Sequence, residues 1–253
     1  MGGDGIGEIL ANAWRRLWRK QFLALYPFAL GLFNTLAFLA VYSSLEPSLG
    51  LNAFFHTNFT RWTYIQEHLA RILTPGVPLA VAVAAAVAVC VLAAAVRAPF
   101  FRAVTGTHYP LAPRSAGEIL RLTLFYMATY AVFTLLPYSL APDGIAFAIL
   151  SWLLIPLSAL IMFGDYVLVF EGLTPWRAIA RSMALLRKAW RPGLAVLLLA
   201  LLLWYLVSLL FDRYYAGSGP IFLLFPLSQL LVEALVTMVI DVLLISTYDQ
   251  YRG

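Results

Sequence analysis

The sequence is poor in charged residues. Asp, Glu, Lys and Arg make up only 11% of the 253 residues, whereas hydrophobic residues make up 62% and the mean hydropathy is +0.86. A soluble domain carries about 25% charged residues, and a globule without them exposes an apolar surface that aggregates in water. The composition therefore excludes a soluble enzyme, a DNA-binding protein with a nucleic-acid partner and a disordered chain. It indicates an integral membrane protein.

Paired cysteines and catalytic motifs are also missing. Cys90 is the single cysteine, so the chain has no internal disulfide. His56, His68 and His108 show no spacing typical of a metal site. The sequence has neither a phosphate-binding Gly-Lys-Ser/Thr loop nor a Gly-x-Ser-x-Gly turn. We expect no catalytic residue, metal or cofactor, with an intramembrane enzyme as the remaining alternative.

Long hydrophobic runs dominate the chain. A helix needs about 20 residues to cross the hydrocarbon core, and it satisfies its own backbone hydrogen bonds there. Six runs meet this length, which predicts an all-α polytopic membrane protein forming one integral domain over residues 1–253. The predicted transmembrane helices cover residues 21–43, 75–96, 119–140, 145–170, 193–211 and 221–247.

The basic residues predict the orientation. Of the 17 Lys and Arg residues, all but Arg61, Arg71 and Arg213 fall on the side of the predicted spans that holds both termini. Basic residues collect on the cytoplasmic side of a membrane protein. We therefore expect a bacterial inner-membrane protein with both termini in the cytoplasm. The net charge of +5 then reflects topology and anionic lipid headgroups.

Residues 1–20 and 174–190 predict amphipathic helices lying on the inner membrane surface. In each segment tryptophans recur at helical spacing on an apolar face and basic residues lie opposite, as is typical of interfacial helices. Thr174 and Pro175 fit the N-cap and the first position of the second helix. The basic residues expected to contact anionic lipids or a partner protein are Arg15, Arg16, Arg19, Lys20, Arg177, Arg181, Arg187 and Lys188.

The two amphipathic segments resemble each other, and a weaker counterpart precedes the third span. There Ser115 and Glu118 have the spacing of a capping box, and Arg121 follows. This pattern indicates three units, each a surface helix followed by a hairpin of two spans. The alternative is that any protein with an even number of spans places basic segments before its outward helices.

Polar residues inside the spans are candidate functional groups, because they are costly in hydrocarbon. Glu233 lies near the middle of the sixth span, and Asn34 lies at comparable depth on the first. If the first and last spans meet, Asn34 is the expected hydrogen-bond partner of Glu233. Glu233 is then either a structural hydrogen-bonding group or a protonatable transport site.

Three further carboxylates lie nearer the inner surface. Asp165 lies on the fourth span, Asp241 lies two turns beyond Glu233, and Glu171 follows the fourth span. We expect each of these carboxylates to pair with Arg177 or Arg181.

The segment after the fourth span carries a family resemblance. Its residues are Glu171-Gly172, Ala178, Ser182, Leu185-Leu186, Arg187-Lys188 and Trp190. This pattern of about twenty residues resembles the membrane domain found beside glycerophosphoryl diester phosphodiesterases and related uncharacterised six-helix bacterial membrane proteins. The resemblance implies an integral membrane domain that is not itself the catalyst, since the phosphodiesterase site belongs to a separate soluble barrel.

These observations favour a non-enzymatic inner-membrane protein that associates with lipid or serves as an accessory subunit of a membrane complex. The alternative is a transporter or a permease of the ABC type. In that case the inner loop between Arg97 and Arg114 would dock a separate ATPase.

Overall fold

The chain is helical in a computed structural model that describes residues 4–45, 68, 71–106, 115–138, 144–215 and 224–252. Residues 1–3, 139–140 and 221–223, which belong to predicted helices, lie outside the described residues. The helices are α1 Asp4–Arg19, α2 Leu25–Leu45, α3 Val77–Thr105, α4 Ala116–Tyr130, α5 Leu136–Tyr138, α6 Ile145–Ile161, α7 Gly164–Phe170, α8 Pro175–Lys188, α9 Trp190–Tyr215 and α10 Leu224–Tyr251. The all-α prediction is confirmed for the described residues, none of which forms a strand.

Five stretches of the described chain are long and apolar enough to cross a membrane. They are Gln21–Leu45, Val77–Thr105, Ile145–Phe170, Trp190–Phe211 and Ser228–Tyr251. The predicted third span, 119–140, is not among them. Its α-helical part ends at Tyr130, and the π-helical segment Ala131–Leu135 follows. The structure thus agrees with an integral membrane protein and finds five of the six predicted spans.

The amphipathic helices α1 and α8 both lie at the C-terminal end of α10, which we call the interfacial end. Arg16 of α1 pairs with Asp249, and Arg181 of α8 donates to the carbonyl of Arg252. Pro175 takes the first helical position as predicted, but the Thr174 side chain makes no capping hydrogen bond.

Buried residues concentrate at the two ends of the bundle. The larger core, at the interfacial end, includes Phe100, Phe163 and Tyr248. A smaller cluster at the far end joins Tyr42 to Leu230. By contrast, α6 buries no residue along its whole length. Such an exterior is unfavourable in water and suits contact with lipid chains.

A break between α6 and α7 divides the fourth predicted span. The Ser182 hydroxyl of α8 accepts a hydrogen bond from the Phe163 N–H at 3.1 Å and donates one to the Leu160 carbonyl at 2.8 Å. These bonds satisfy backbone groups that the break removes from the helical ladder. A Cβ on Gly164 would lie 2.6 Å from the Phe125 ring, so the missing side chain lets α7 approach α4 closely.

We expect Ser182→Ala to lower the free energy of unfolding by about 1–3 kcal/mol, because it removes the partner of the buried Phe163 N–H and of the partly buried Leu160 carbonyl. Ser158→Ala is the matched control, since that hydroxyl bonds only to the Ile155 carbonyl on its own helix among the described residues. Thermal unfolding in detergent measures the difference. Equal melting temperatures for the two variants would show that Ser182 does not stabilise the break.

The second predicted unit has no separate surface helix among the described residues. The Glu118 N–H donates to the Ser115 hydroxyl at 3.2 Å, which confirms the N-cap. The Glu118 carboxylate, however, pairs with the buried guanidinium of Arg102. From this cap α4 runs past Arg121 without a break, so within the described part of the chain a distinct amphipathic helix is seen in the first and third predicted units.

Candidate functional site

A buried ionic cluster joins three helices near the interfacial end. Arg97 of α3 lies 2.8 Å from the Asp241 carboxylate of α10 and 3.3 Å from the Asp165 carboxylate of α7. Both aspartates are buried. One guanidinium nitrogen therefore pairs with two carboxylates. Such pairing is needed because a charged side chain removed from water is costly without a partner.

Tyrosines complete the hydrogen bonding of this cluster. The Tyr166 hydroxyl donates to Asp241 at 2.7 Å, and its backbone N–H donates to Asp165 at 3.0 Å. The Tyr126 hydroxyl lies 3.5 Å from Asp165. The cluster thus ties α3, α4, α7 and α10 together.

The prediction that the two aspartates pair with Arg177 or Arg181 was wrong. Asp165 and Asp241 pair with Arg97, whereas Arg177 is exposed and Arg181 pairs with Glu171. The hydropathy signal ends at residue 96, yet α3 continues to Thr105 and brings its guanidinium inside the bundle. An arginine one residue beyond the apolar run was the signal that could have identified this pairing.

A cavity of about 580 Å³ lies beside the cluster. Four of the predicted polar residues, Asn34, Asp165, Glu233 and Asp241, border it. They come from α2, α7 and α10, far apart in sequence. Its lining consists of Pro27, Leu30, Gly31, Asn34, Val89, Ala93, Arg97, Tyr130, Met162, Asp165, Tyr166, Trp204, Leu230, Glu233, Ala234, Thr237, Ile240, Asp241 and Leu244. This volume is in the range of small-molecule sites.

Glu233 has a different hydrogen-bond partner from the one expected. The first and last predicted spans do meet, since a Cβ on Gly31 would lie 3.3 Å from Leu230. Asn34 and Glu233 consequently face one cavity, but the Glu233 carboxylate accepts its hydrogen bond from Gln229 at 2.9 Å, one turn earlier on α10. No described basic residue forms an ion pair with Glu233.

The residues that carry the family resemblance pack α8 against its neighbours. The Glu171 carboxylate accepts a hydrogen bond from the Tyr248 hydroxyl at 3.0 Å. It also pairs with Arg181 at 3.3 Å, one of the two partners predicted for it. Gly172 has φ +68°, a left-handed conformation that favours glycine, and its carbonyl accepts from Arg121 at 2.8 Å. Together with the buried Ser182, these contacts fix α8 to α4, α7 and α10.

The basic residues of the segment 1–20 divide into two groups. Arg15 and Arg19 are exposed. Arg16, in contrast, pairs with Asp249 at 2.8 Å, and the Lys20 ammonium donates to the Ala103 and Val104 carbonyls at the end of α3. Burial and the nearby guanidinium lower the pKa of Lys20 below its ordinary value. On α8, the exposed basic residues are Arg177, Arg187 and Lys188.

The described residues contain no group of three His, Cys, Asp or Glu side chains placed to hold a metal ion. No family model, curated protein or solved structure matches the chain. The resemblance to the phosphodiesterase-associated membrane domain stays a prediction.

Proposed function

We propose that this chain is a non-enzymatic protein of the bacterial inner membrane that associates with anionic lipid through α1 and α8. The observation that carries the proposal is the outer surface of α1. Trp14 and Trp18 are 64% and 68% exposed and stack on each other, beside exposed Arg15 and Arg19. Such a surface suits the membrane interface, where tryptophan lies at headgroup depth and arginine meets lipid phosphate.

The α8 surface supports the same function at the same end of the bundle. Trp176 is 82% exposed, and Arg177 and Arg187 are exposed on the same helix. Two interfacial helices at one end provide several basic groups for one leaflet. Each adds about 1 kcal/mol of attraction to an anionic surface.

The proposed topology has six spans and cytoplasmic termini. The helical stretch from Ala116 to Tyr138 would supply the third span despite its π-helical segment. The proposal includes membership of the six-helix family that the motif around Glu171 and Ser182 resembles. The basic surfaces of α1 and α8 support the inward placement of the interfacial end.

We expect the double variant Arg15→Gln/Arg19→Gln to bind phosphatidylglycerol about 30-fold more weakly, since two contacts of about 1 kcal/mol each are removed. Native mass spectrometry of the full chain in neutral detergent measures the bound lipid. Arg16→Gln is the matched control, because Arg16 faces Asp249 rather than the surface. A similar loss in both variants, or in neither, would contradict the lipid-binding assignment of α1.

Transport is a second candidate function, favoured by the polar cavity at membrane depth. A permease of the ABC type would need a separate ATPase, and an accessory subunit would need a stable membrane complex. Native mass spectrometry after gentle extraction distinguishes them. Retention of an ATPase would support a permease, another constant protein partner would support a subunit, and retained anionic lipid alone would support the lipid-associated function.

A further inference from the structure

Two cavities with different linings lie side by side between the helices. The cavity of about 580 Å³, here called the polar compartment because it contains the carboxylates of Asp165, Glu233 and Asp241, also has many apolar lining residues. A second, apolar cavity of about 160 Å³, the apolar compartment, lies between α2 and α3. Asn34, Val89 and Tyr130 line both, so the two compartments are neighbours.

The apolar compartment fits part of a hydrocarbon chain. Apart from Asn34 and Tyr130, all its described lining side chains are aliphatic or phenylalanine. Ala82, Ala85 and Ala86 of α3 face it with small side chains, which leave open space beside α2. Apart from Asn34 and Tyr130, such a surface offers no side-chain hydrogen bond to a polar ligand, and it favours apolar groups through burial.

The polar compartment has an excess of negative groups. Asp165, Glu233 and Asp241 line it, and Arg97 is the only basic residue among its described lining. Arg97 is shared by the two aspartates, and Glu233 has a neutral amide, Gln229, as its hydrogen-bond partner. A positively charged group beside Glu233 would offset the cost of a carboxylate in the bilayer.

Aromatic side chains in the polar compartment indicate which kind of cation it would bind. Tyr130 and Trp204 both line the polar compartment. Aromatic faces attract ammonium groups, and quaternary ammonium ligands are commonly bound in this way. Aromatic walls together with a carboxylate therefore favour an ammonium head group over a strongly hydrated metal ion.

Irregular backbone borders the same compartment. Tyr130 immediately precedes the π-helical segment Ala131–Leu135, and Met162 lies at the break between α6 and α7. π-Helical turns occur frequently at functional sites. Non-helical backbone at membrane depth is tolerated where it is buried in protein or borders a cavity. Both irregularities thus occur where a ligand site would account for them.

We propose that the adjoining cavities bind a membrane amphiphile with an ammonium head group. The head group lies beside Glu233, the nearer part of the hydrocarbon chain occupies the apolar compartment lined by Ala82 and Ala86, and the rest of the chain leaves through its open side. This site differs from the surfaces of α1 and α8, which select lipids of the opposite charge. The proposal requires that the amphiphile binds at this site, whether or not the protein also transports it.

The test uses tritiated dodecyltrimethylammonium and the purified full chain in digitonin, a detergent without a dodecyl chain, with bound probe measured by scintillation proximity. We expect saturable binding that weakens at least about tenfold in Glu233→Gln, a loss of about 1.4 kcal/mol, and in Ala86→Phe, which fills the apolar compartment. The matched controls are Glu8→Gln and Ala84→Phe, two exposed positions outside both linings. They should bind like the parent chain.

Two competitors separate the parts of the ligand. Tetramethylammonium lacks the chain and dodecanol lacks the charge, so each should displace the probe far less well than unlabelled dodecyltrimethylammonium. Absence of saturable binding, equal competition by dodecanol, or unchanged affinity in Glu233→Gln would overturn the proposal. If Glu233→Gln does not fold, competition by dodecanol still tests the requirement for charge, and unchanged affinity in Ala86→Phe would overturn the assignment of the apolar compartment.

The test is independent of the proposed lipid association at the surface. The Arg15→Gln/Arg19→Gln variant should bind dodecyltrimethylammonium normally while losing phosphatidylglycerol. The two proposals can therefore fail separately, since one is tested by phosphatidylglycerol binding and the other by dodecyltrimethylammonium binding.

Discussion

Arg97→Met is expected to lower the free energy of unfolding by about 3–5 kcal/mol, because it leaves two buried carboxylates without their cation. Asp165 and Asp241 lie 3.3 and 2.8 Å from the same guanidinium nitrogen, on two different helices. Their remaining partners, Tyr126 and Tyr166, donate hydrogen bonds but carry no charge. Unfolding in sodium dodecyl sulfate, followed by circular dichroism, measures the loss.

Two further variants test whether charge is the cause of this loss. Arg177→Met removes an exposed arginine of α8 and should change stability by less than about 0.5 kcal/mol. Adding Asp165→Asn and Asp241→Asn to Arg97→Met should restore part of the stability, because neutral amides cost less to bury than carboxylates. If Arg97→Met unfolds like the parent chain, the cluster does not hold the helices together.

Glu118→Ala is expected to lower the free energy of unfolding by a similar amount, about 3–5 kcal/mol, because it breaks a second buried ion pair. Its partner Arg102 has no exposed side-chain surface, and the Glu118 side chain is only 5% exposed. Removing the carboxylate leaves a guanidinium buried between α3 and α4. The same unfolding measurement applies, and Arg102→Met/Glu118→Leu should recover much of the lost stability, because an apolar pair can replace a buried ion pair.

The matched comparison is the ion pair between Arg181 and Glu171, whose side chains are 32% and 26% exposed. Solvent screens such a pair, and its removal by Arg181→Ala should cost about 1 kcal/mol or less. Equal effects of Arg181→Ala and Glu118→Ala would show that burial does not set the strength of the α3–α4 contact.

Sequence reasoning predicted the local features of this protein well. Hydropathy placed five stretches that the structure also finds as long apolar helices, because a membrane helix depends on the composition of about 20 consecutive residues. Periodicity similarly placed the amphipathic segments 1–20 and 174–190, which coincide with α1 and α8. Sequence reasoning also identified Asn34 and Glu233 as polar residues at comparable depth, and both line the same cavity.

The partners of the polar groups were harder to predict. Arg97 was placed in a cytoplasmic loop because the apolar run stops one residue before it, yet α3 continues for two further turns. Arg16 and Lys20 were expected to contact anionic lipids or a partner protein, and in the structure both also contact other helices of the same chain. Amphipathic patterning distinguishes an apolar face from a polar one, and it does not reveal which polar residues meet another helix.

The sequence by itself determined a helical membrane protein with basic amphipathic segments, since hydropathy and periodicity are properties of neighbouring residues. Tertiary structure alone decided that Arg97 meets Asp241, 144 positions away, and that Glu233 borders a cavity shared with Asn34. Such contacts depend on how helices rotate and cross, and a helix satisfies its backbone at any rotation. Packing and the pairing of buried charges select the rotation, and these act between residues distant in the chain.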